Sequence, residues 1–507
     1  MASASHESRA PAAELERQHC YRALSSRDSR FDGRFFVGVR TTGVYCRPVC
    51  PAPTPRLRNV EFYPCAAAAE EAGFRPCRRC RPETAPGTPA WVGSTATVRR
   101  ALRLIAGGAL DGKGVDSLAE RLGVGSRQVR RLFSEHLGAS PLAVARTRRV
   151  HFARRLIDET DLPMSEVALA AGFSSIRQFN HAIRGCFERT PSRLRRDAGQ
   201  HRRAARDEPL TLRLSFRQPF DWDALLTFLA PRAIPGVERV EDGIYERALH
   251  IDGAPARVRV GRAAAGSQLM VRLSAPAGAA LLPVVERVRR LFDLGADPHR
   301  IAADLRRDPR IRGRIAALPG LRVPGAWDGF EFAVRAILGQ QVTVKGATTL
   351  TGRLVESFGQ TLEPCDEGPS RLFPTPETLA EADLTAIGLP GARARSVSAL
   401  SRAVAGGELD LEPGAPLAET LTTLRAIPGI GVWTAQVVAM RALGEPDAFP
   451  AGDLGLRRAL GQGGRFLPAR DLQARAEAWR PWRAYAAMWL WCTPSPVRST
   501  PRRRSSR

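Results

Sequence analysis

Four of the nine cysteines stand in two close pairs, Cys46 and Cys50 in "RTTGVYCRPVC" and Cys77 and Cys80 in "FRPCRRC". The spacing is C-x3-C, 26 intervening residues, then C-x2-C. Two such pairs can close one tetrahedral site, because zinc takes four thiolates in that arrangement. Zinc also keeps sulfur deprotonated near neutral pH, so a site of this composition can be a structural staple or can supply a nucleophile that needs no general base. Cys20, Cys65, Cys186, Cys365 and Cys492 stand singly and are expected to be buried or incidental. A second feature is Pro428-Gly429-Ile430-Gly431 inside "LTTLRAIPGIGVWTAQVVAMRAL". Glycines between two helices let backbone N–H groups at a helix start approach a phosphate, whatever the nucleotide sequence.

The partner that such groups would meet is set by charge. The chain has 507 residues, with 76 Lys and Arg against 51 Asp and Glu, for a net charge of +25. A surplus of that size favours a polyanion, and nucleic acid leads. Only Lys113 and Lys345 are lysines, so arginine supplies nearly all the positive charge, which suits bidentate phosphate and guanine contacts. No apolar run of membrane-spanning length appears, and the start "MASASHESRAPAAELERQ" lacks the pattern of a signal peptide. A cytoplasmic location without membrane contact is expected, and a reducing cytosol argues against a disulfide between the paired cysteines.

The length calls for several domains, about 100 to 200 residues each. After a Pro/Gly-rich linker, "RPETAPGTPAWVGST", come two helix-turn-helix patterns, "VDSLAERLGVGSRQVRRLFSEHLG" and "MSEVALAAGFSSIRQFNHAIRGCFERTPSRLR". In the first, Val115, Leu118, Leu122, Val129, Leu132 and Phe133 form the inner face, Gly123 the turn and Ser126 an N-cap. In the second, Val167, Ala168 and Ala171 precede Gly172, and Ile176, Phe179 and Ile183 face inward. Arg127, Gln128, Arg130 and Arg131, then Arg177, Gln178, Asn180, His181 and Arg184, remain outward to reach base edges and phosphates. A polar linker, "RRDAGQHRRAARDEP", leads to alternating strands "LTLRLSF", "YERALHI", "ARVRVGR" and "QLMVRLS", expected in an antiparallel sheet with one wet face. Helices are expected at "WDALLTFLAP" and "LLPVVERVRRLFDLG". The tail "PVRSTPRRRSSR" reads as a disordered basic segment adding nonspecific DNA affinity.

Three resemblances attach chemistry to these segments. Residues 14 to 84, with "FDGRFFVGVRTTGVYCRPVC" and "NVEFYPCAAAAEEAGFRPCRRC", resemble the methyl-phosphotriester repair domain of Ada proteins. The resemblance implies one zinc on Cys46, Cys50, Cys77 and Cys80, with Cys46 taking a methyl group from an alkylated DNA phosphate. It also implies DNA contacts at Thr42 and Arg75. Pro51-Ala52-Pro53 stands where that family often has basic residues. Residues 97 to 196, ending "GFSS" and "FERTPSRLR", resemble the AraC-type DNA-binding domain. Residues 209 to 494 resemble the AlkA family of 3-methyladenine DNA glycosylases, on "GFEFAVRAILGQQVTVKGATTL", the glycine hairpin and "DAFPAGDLGLRRAL".

The last resemblance implies a catalytic carboxylate at Asp453, a base pocket with Trp433 and Trp491, and DNA contacts from Gln341, Gly429, Gly431 and Thr434. Asp453 also fits a plain helix N-cap ahead of Leu454, Leu456 and Leu460, and the two roles are compatible. No histidine follows His299, so a carboxylate is the conventional base on offer. Trp433 stands where lyase relatives carry a Schiff-base lysine, and Cys492 alone follows Asp453, too few thiols for an iron-sulfur cluster. Base excision without a cofactor is therefore expected. Gln341 replaces the family's intercalating leucine and Val437 a pocket tyrosine. Trp479, Trp482, Trp489 and Trp491 lie close together, and half of them are expected in the core.

The expected fold is multidomain and mixed: a small α+β zinc domain (14–84), an all-α tandem helix-turn-helix (97–196), an α/β lobe (209–320), an all-α helix-hairpin-helix glycosylase domain (321–494) and a basic tail (495–507). The expected function is repair of methyl-phosphotriesters, promoter binding and hydrolysis of the N-glycosidic bond of alkylated purines, acting on double-stranded DNA. Contact with RNA polymerase and a monomeric state are further expectations. The alternative is a transcription activator whose glycosylase half is inert.

Overall fold

The computed structural model describes residues 11–86, 96–197, 209–264, 266–274, 276, 279–362, 368–461 and 465–492. Most of the two linkers, Cys365 and the basic tail lie outside the described residues.

The first unit pairs a helix, Pro11–Ser25, with a four-stranded sheet of β1 (Phe36–Val39), β2 (Val44–Cys46), β3 (Val60–Tyr63) and β4 (Arg75–Pro76) in the order β3-β1-β2-β4. All four residues of "FVGV" in β1 are buried. Gly38 among them is required by space, since a Cβ there would sit 2.9 Å from the rings of Phe74 and Tyr63. β1 and β2 are antiparallel, whereas β2 and β4 are parallel, with Tyr45 opposite Pro76. That parallel pairing sets Cys46 and Cys77, each one residue further on, side by side.

Residues 96–197 are helical throughout, with turns between. Val115–Leu122 and Ser126–Leu137 form the first helix-turn-helix around Gly123, whose φ is +69°. Met164–Ala170 and Ile176–Phe187 form the second. Two local expectations are corrected. Gly125, not Ser126, is the N-cap of the first recognition helix, and no side chain caps it. Ile176 is 49% exposed, because it is the first residue of its helix and lies outside the turn that Phe179 and Ile183 anchor in the core.

The long helix Pro141–Glu159 fastens this region to the first unit. Tyr45 Oη donates to Glu70 Oε1 at 2.8 Å, Thr147 Oγ1 donates to Glu70 Oε2 at 2.6 Å, and His151 Nε2 lies 3.1 Å from Glu70. Burial alone would raise the Glu70 carboxyl, but His151, Thr147 and Tyr45 hold it below the usual range.

In the α/β lobe, β5 (Leu210–Ser215), β6 (Glu238–Glu241), β7 (Ile244–Ile251), β8 (Ala254–Arg262) and β9 (Gln268–Ser274) form one antiparallel sheet in the order β5-β9-β8-β7-β6. β6, "ERVE", has no apolar alternation to announce it. β8 and β9 alternate as a half-wet sheet should, but β7 does not: Tyr245 to Leu249 are all buried. The reason is that its second face meets the helical half of the chain. Arg247 donates to Glu238 at 2.9 Å and to both carboxylate oxygens of Glu331, which lies on the helix Gly329–Leu338. Arg247→Ala would leave Glu238 and Glu331 to share Arg335, at 3.3 and 3.2 Å, as their remaining guanidinium partner among the described residues, so a loss of about 3 kcal/mol is expected, read as a lowered denaturant midpoint. Among the described residues, no helix is long and apolar enough to cross a membrane.

Candidate functional site

The ligand atoms of Cys46, Cys50, Cys77 and Cys80 all lie within 4.8 Å of one another, with three of these cysteines buried and Cys77 half-buried. Bonds of about 2.3 Å to a tetrahedral zinc require sulfurs about 3.8 Å apart, so the group fits that ion. Cys77 N–H donates to Tyr45 O at 3.0 Å, which locks the two cysteine pairs together through the backbone. Arg47 is a positioning residue that the spacing argument passes over. Its N–H donates to Cys80 Sγ at 3.4 Å, and its guanidinium reaches Asp32, Cys80 O and Thr84 Oγ1. The signal was its place next to Cys46. Thr42 is exposed in the turn between β1 and β2, and a Cβ on neighbouring Gly43 would lie 4.0 Å from Arg75 Nη2. The two expected phosphate contacts thus share one edge. Arg75 forms an ion pair at 2.5 Å with Glu188, at the end of the second recognition helix.

On the recognition helices, Arg127, Gln128, Arg130, Arg131, Arg177, Gln178, His181 and Arg184 are exposed, and Asn180 is half-buried. Arg131 pairs with Glu135 at 3.1 Å. Gln178 Oε1 accepts from Ser174 Oγ at 3.0 Å, and its N–H donates to Ser175 Oγ at 3.1 Å. Part of Gln178 is thereby committed to the start of its own helix.

The glycine hairpin joins the helices Leu417–Ala426 and Val432–Arg441. Gly429 has φ +86°, and a Cβ on it would lie 2.2 Å from Ser396 Oγ, which donates to Pro428 O at 2.7 Å. Gly431 is the N-cap of the second helix, and a Cβ on it would meet nothing within 4 Å, so that face is open. The Thr434 side chain is buried, and its hydroxyl accepts from Gln340 Nε2 at 2.9 Å. Thr434 is the third residue of the helix Val432–Arg441, and the Gln340 that it meets stands just past the end of the helix Gly329–Leu338. Gln340 also donates to Gly429 O at 2.9 Å and accepts from Arg393 at 2.7 Å. Gln341, exposed and left-handed at φ +55°, is held out beside the hairpin by this neighbour. The sequence reading did not single out Gln340.

Asp453 is the N-cap of Leu454–Ala459 and accepts from Leu456 N at 2.9 Å. Trp433 Nε1 donates to its Oδ2 at 3.1 Å and Trp491 Nε1 to its Oδ1 at 2.9 Å. The hairpin helix and the final helix, Arg483–Cys492, therefore each aim an indole at one half-buried carboxylate. Trp491 further stacks on Phe228 of the α/β lobe, with centroids 6.4 Å apart and planes at 25°. Leu454 is 60% exposed, whereas Leu456 is buried. Trp479, Trp482 and Trp489 are core, with N–H groups satisfied by Asp308, Asp304 and Leu318 O, so three of the four clustered tryptophans are structural. Val437 is half-buried against the hairpin core. Burial pushes the Cys20, Cys65 and Cys492 thiols up to about 11, which makes them poor nucleophiles.

Family models match four successive segments: the metal binding domain of Ada over 19–83, a helix-turn-helix domain over 118–197, the AlkA N-terminal domain over 211–328, and the HhH-GPD superfamily of base excision DNA repair proteins over 334–484. The chain is 45% identical over 483 residues to a probable bifunctional transcriptional activator/DNA repair enzyme AlkA of Mycobacterium tuberculosis, covering 94% of this chain and 96% of that protein. It is 37% identical over 287 residues to DNA-3-methyladenine glycosylase 2 of Escherichia coli, covering 55% of this chain and 96% of the relative. Among solved structures, a 3-methyladenine DNA-glycosylase from Archaeoglobus fulgidus superimposes with a TM-score of 0.50 at 24% identity, over 55% of this chain and 96% of that one.

Proposed function

The chain belongs to the family of bifunctional transcriptional activator/DNA repair enzymes AlkA, a multidomain family with zinc-binding, helix-turn-helix and DNA glycosylase parts, and on that premise we propose that it performs two repair reactions on double-stranded DNA. The first is transfer of a methyl group from a DNA methyl-phosphotriester to Cys46. The second is hydrolytic release of alkylated purines such as 3-methyladenine at Asp453. The observation that carries this reading is the convergence of Trp433 and Trp491 on Asp453, beside an open glycine hairpin.

At the first site, Cys46, Cys50, Cys77 and Cys80 would hold a zinc ion, which would keep their sulfurs as thiolates. Cys46 Sγ attacks the methyl carbon, the carbon–oxygen bond breaks, and its electron pair stays on the phosphate as an ordinary diester anion. A thioether is left, and the centre loses one negative charge. Arg47 holds the loop rigid while Thr42 and Arg75 face the phosphate. At the second site, a cationic purine leaves with the electron pair of its glycosidic bond. Asp453 stabilises the oxocarbenium-like sugar and orients the water that adds to its C1′. Trp433 and Trp491 offer electron-rich rings that favour the cationic base. Gly429 and Gly431 bind backbone phosphates, and Gln341 stands at the duplex beside them. The exposed arginines of the two recognition helices read promoter DNA.

Duplex carrying 3-methyladenine is the test. The purified chain is expected to release the free base and leave an abasic site without cleaving the strand, because no lysine stands at position 433. Intact substrate after prolonged incubation would overturn the glycosylase assignment, and strand cleavage would overturn its hydrolytic mechanism.

A further inference from the structure

The two recognition helices end in the same conformation on different residues. Ser126–Leu137 ends on Gly138, left-handed at φ +63°, and Ile176–Phe187 ends on Glu188, left-handed at φ +52°. Glycine takes that conformation without the cost that a Cβ brings. What the glutamate adds is one ionic contact: its Oε2 accepts from Arg75 Nη1 at 2.5 Å. The two side chains are 62% and 40% exposed, and an exposed ion pair stabilises a fold little. Stability does not explain a glutamate at this place, which leaves its effect on Arg75. Neighbouring contacts hold the pair together. Arg78 Nη2 donates to Phe187 O at 3.5 Å and Arg81 pairs with Asp158 of the helix Pro141–Glu159, so the loop of Cys77 and Cys80 sits on the end of the second recognition helix. Among the described residues, Glu188 is the one acidic partner of Arg75, and Arg75 is the one basic partner of Glu188. Arg78 and Arg79, exposed on the same loop, form no ion pair among the described residues. DNA is still drawn to this edge, and of these three arginines Arg75 alone is neutralised.

Arg75 joined to Glu188 presents N–H donors without net charge. Its Nη1 is taken by the carboxylate, and its Nη2 is left on the side of the Thr42–Gly43 turn, 4.0 Å from where a Cβ on Gly43 would stand. A neutral ester oxygen needs only such a donor. A phosphodiester anion loses the attraction of a free guanidinium and meets the carboxylate as well, so the pair selects by what it repels. We propose that Glu188, from the helix-turn-helix region, is a specificity-determining residue of the zinc site: it withholds Arg75 from ordinary phosphodiesters and leaves a donor suited to the neutral methyl-phosphotriester. This rests on the reading of Cys46 as the methyl acceptor and of Thr42 and Arg75 as phosphate contacts.

The test is methyl transfer to Cys46 from a duplex with one labelled methyl-phosphotriester, run with the zinc-loaded full-length chain against increasing undamaged duplex. In Glu188→Gln, half-inhibition is expected at about fivefold less undamaged duplex than in the native chain, a gap that narrows as salt rises. A competitor with methylphosphonate linkages is neutral and has no transferable methyl group, and it is expected to inhibit both chains equally to within about twofold. A merely structural role would shift both competitors alike. Glu188→Gly, which also relieves the left-handed backbone, is expected to match Glu188→Gln, so the reading does not depend on one variant folding. Glu408→Gln, the same change of net charge on the glycosylase half, is expected to behave as the native chain. Equal sensitivity of the native chain and both Glu188 variants to undamaged duplex, or an equal shift for the two competitors, would overturn the proposal and leave Cys46 as the acceptor. Absence of transfer by the native chain would overturn the reading of Cys46 itself, and the proposal with it.

Discussion

Asp453→Asn is expected to keep binding alkylated duplex while losing about a hundredfold or more in release of 3-methyladenine, equivalent to about 2.7 kcal/mol of transition-state stabilisation. The helix should survive. Asparagine retains one oxygen, which can go on accepting from Leu456 N and Trp491 Nε1 as Asp453 Oδ1 does at 2.9 Å each. What changes is charge, together with one contact: the amide NH2 then opposes Trp433 Nε1, which now donates to Oδ2 at 3.1 Å. A misplaced indole would be a second route to lost activity. Trp433→Phe separates the two, because phenylalanine keeps a ring and removes the N–H. Alone it is expected to cost under tenfold, and combined with Asp453→Asn it should restore nothing. Trp433→Ala, which removes the ring, is expected to weaken recognition of the cationic base. Single-turnover base release by each folded variant checks these expectations, and near-normal release by Asp453→Asn would reduce Asp453 to a helix cap.

Cys46→Ser is expected to abolish methyl transfer completely, since a serine hydroxyl next to the metal has neither the softness nor the nucleophilicity of thiolate. The native chain should carry one zinc by atomic absorption. Chelation should unfold the first unit, because the site joins β2 to β4 and little else pairs with the two-residue β4. Peptide mass spectrometry after incubation with methylated DNA should place the methyl group on Cys46. A methyl group on Cys50, Cys77 or Cys80 would reassign the nucleophile, and a folded, metal-free unit would remove the zinc site.

Features fixed by local chemistry were legible in the sequence. The cysteine spacing announced a site whose four sulfurs do meet, and the period of apolar residues placed both helix-turn-helix pairs and four strands of the larger sheet. What depended on distant partners was not. β6 was missed because "ERVE" has no apolar face; its Glu238 is spent on Arg247 and Arg335. β7 looked half-wet because nothing local to Arg247 reveals Glu331, 84 residues away. Thr434 reads like any polar residue at a helix start until Gln340 is found beside it, and Gln340 itself is hidden by the more conspicuous Gln341. The two indoles on Asp453 come from positions 20 and 38 residues away, so the carboxylate could be proposed from its setting but its donors could not be assigned.

Two reactions in one chain can be read in a single incubation. Duplex DNA treated with radiolabelled methylnitrosourea carries labelled phosphotriesters and labelled purines together. After reaction with the purified chain, label is expected in two fractions: free methylated base, growing with time over many turnovers, and protein, saturating at one methyl group per chain on Cys46. Label in the protein fraction without released base, or released base with no methyl group on the protein, would contradict the two-reaction account.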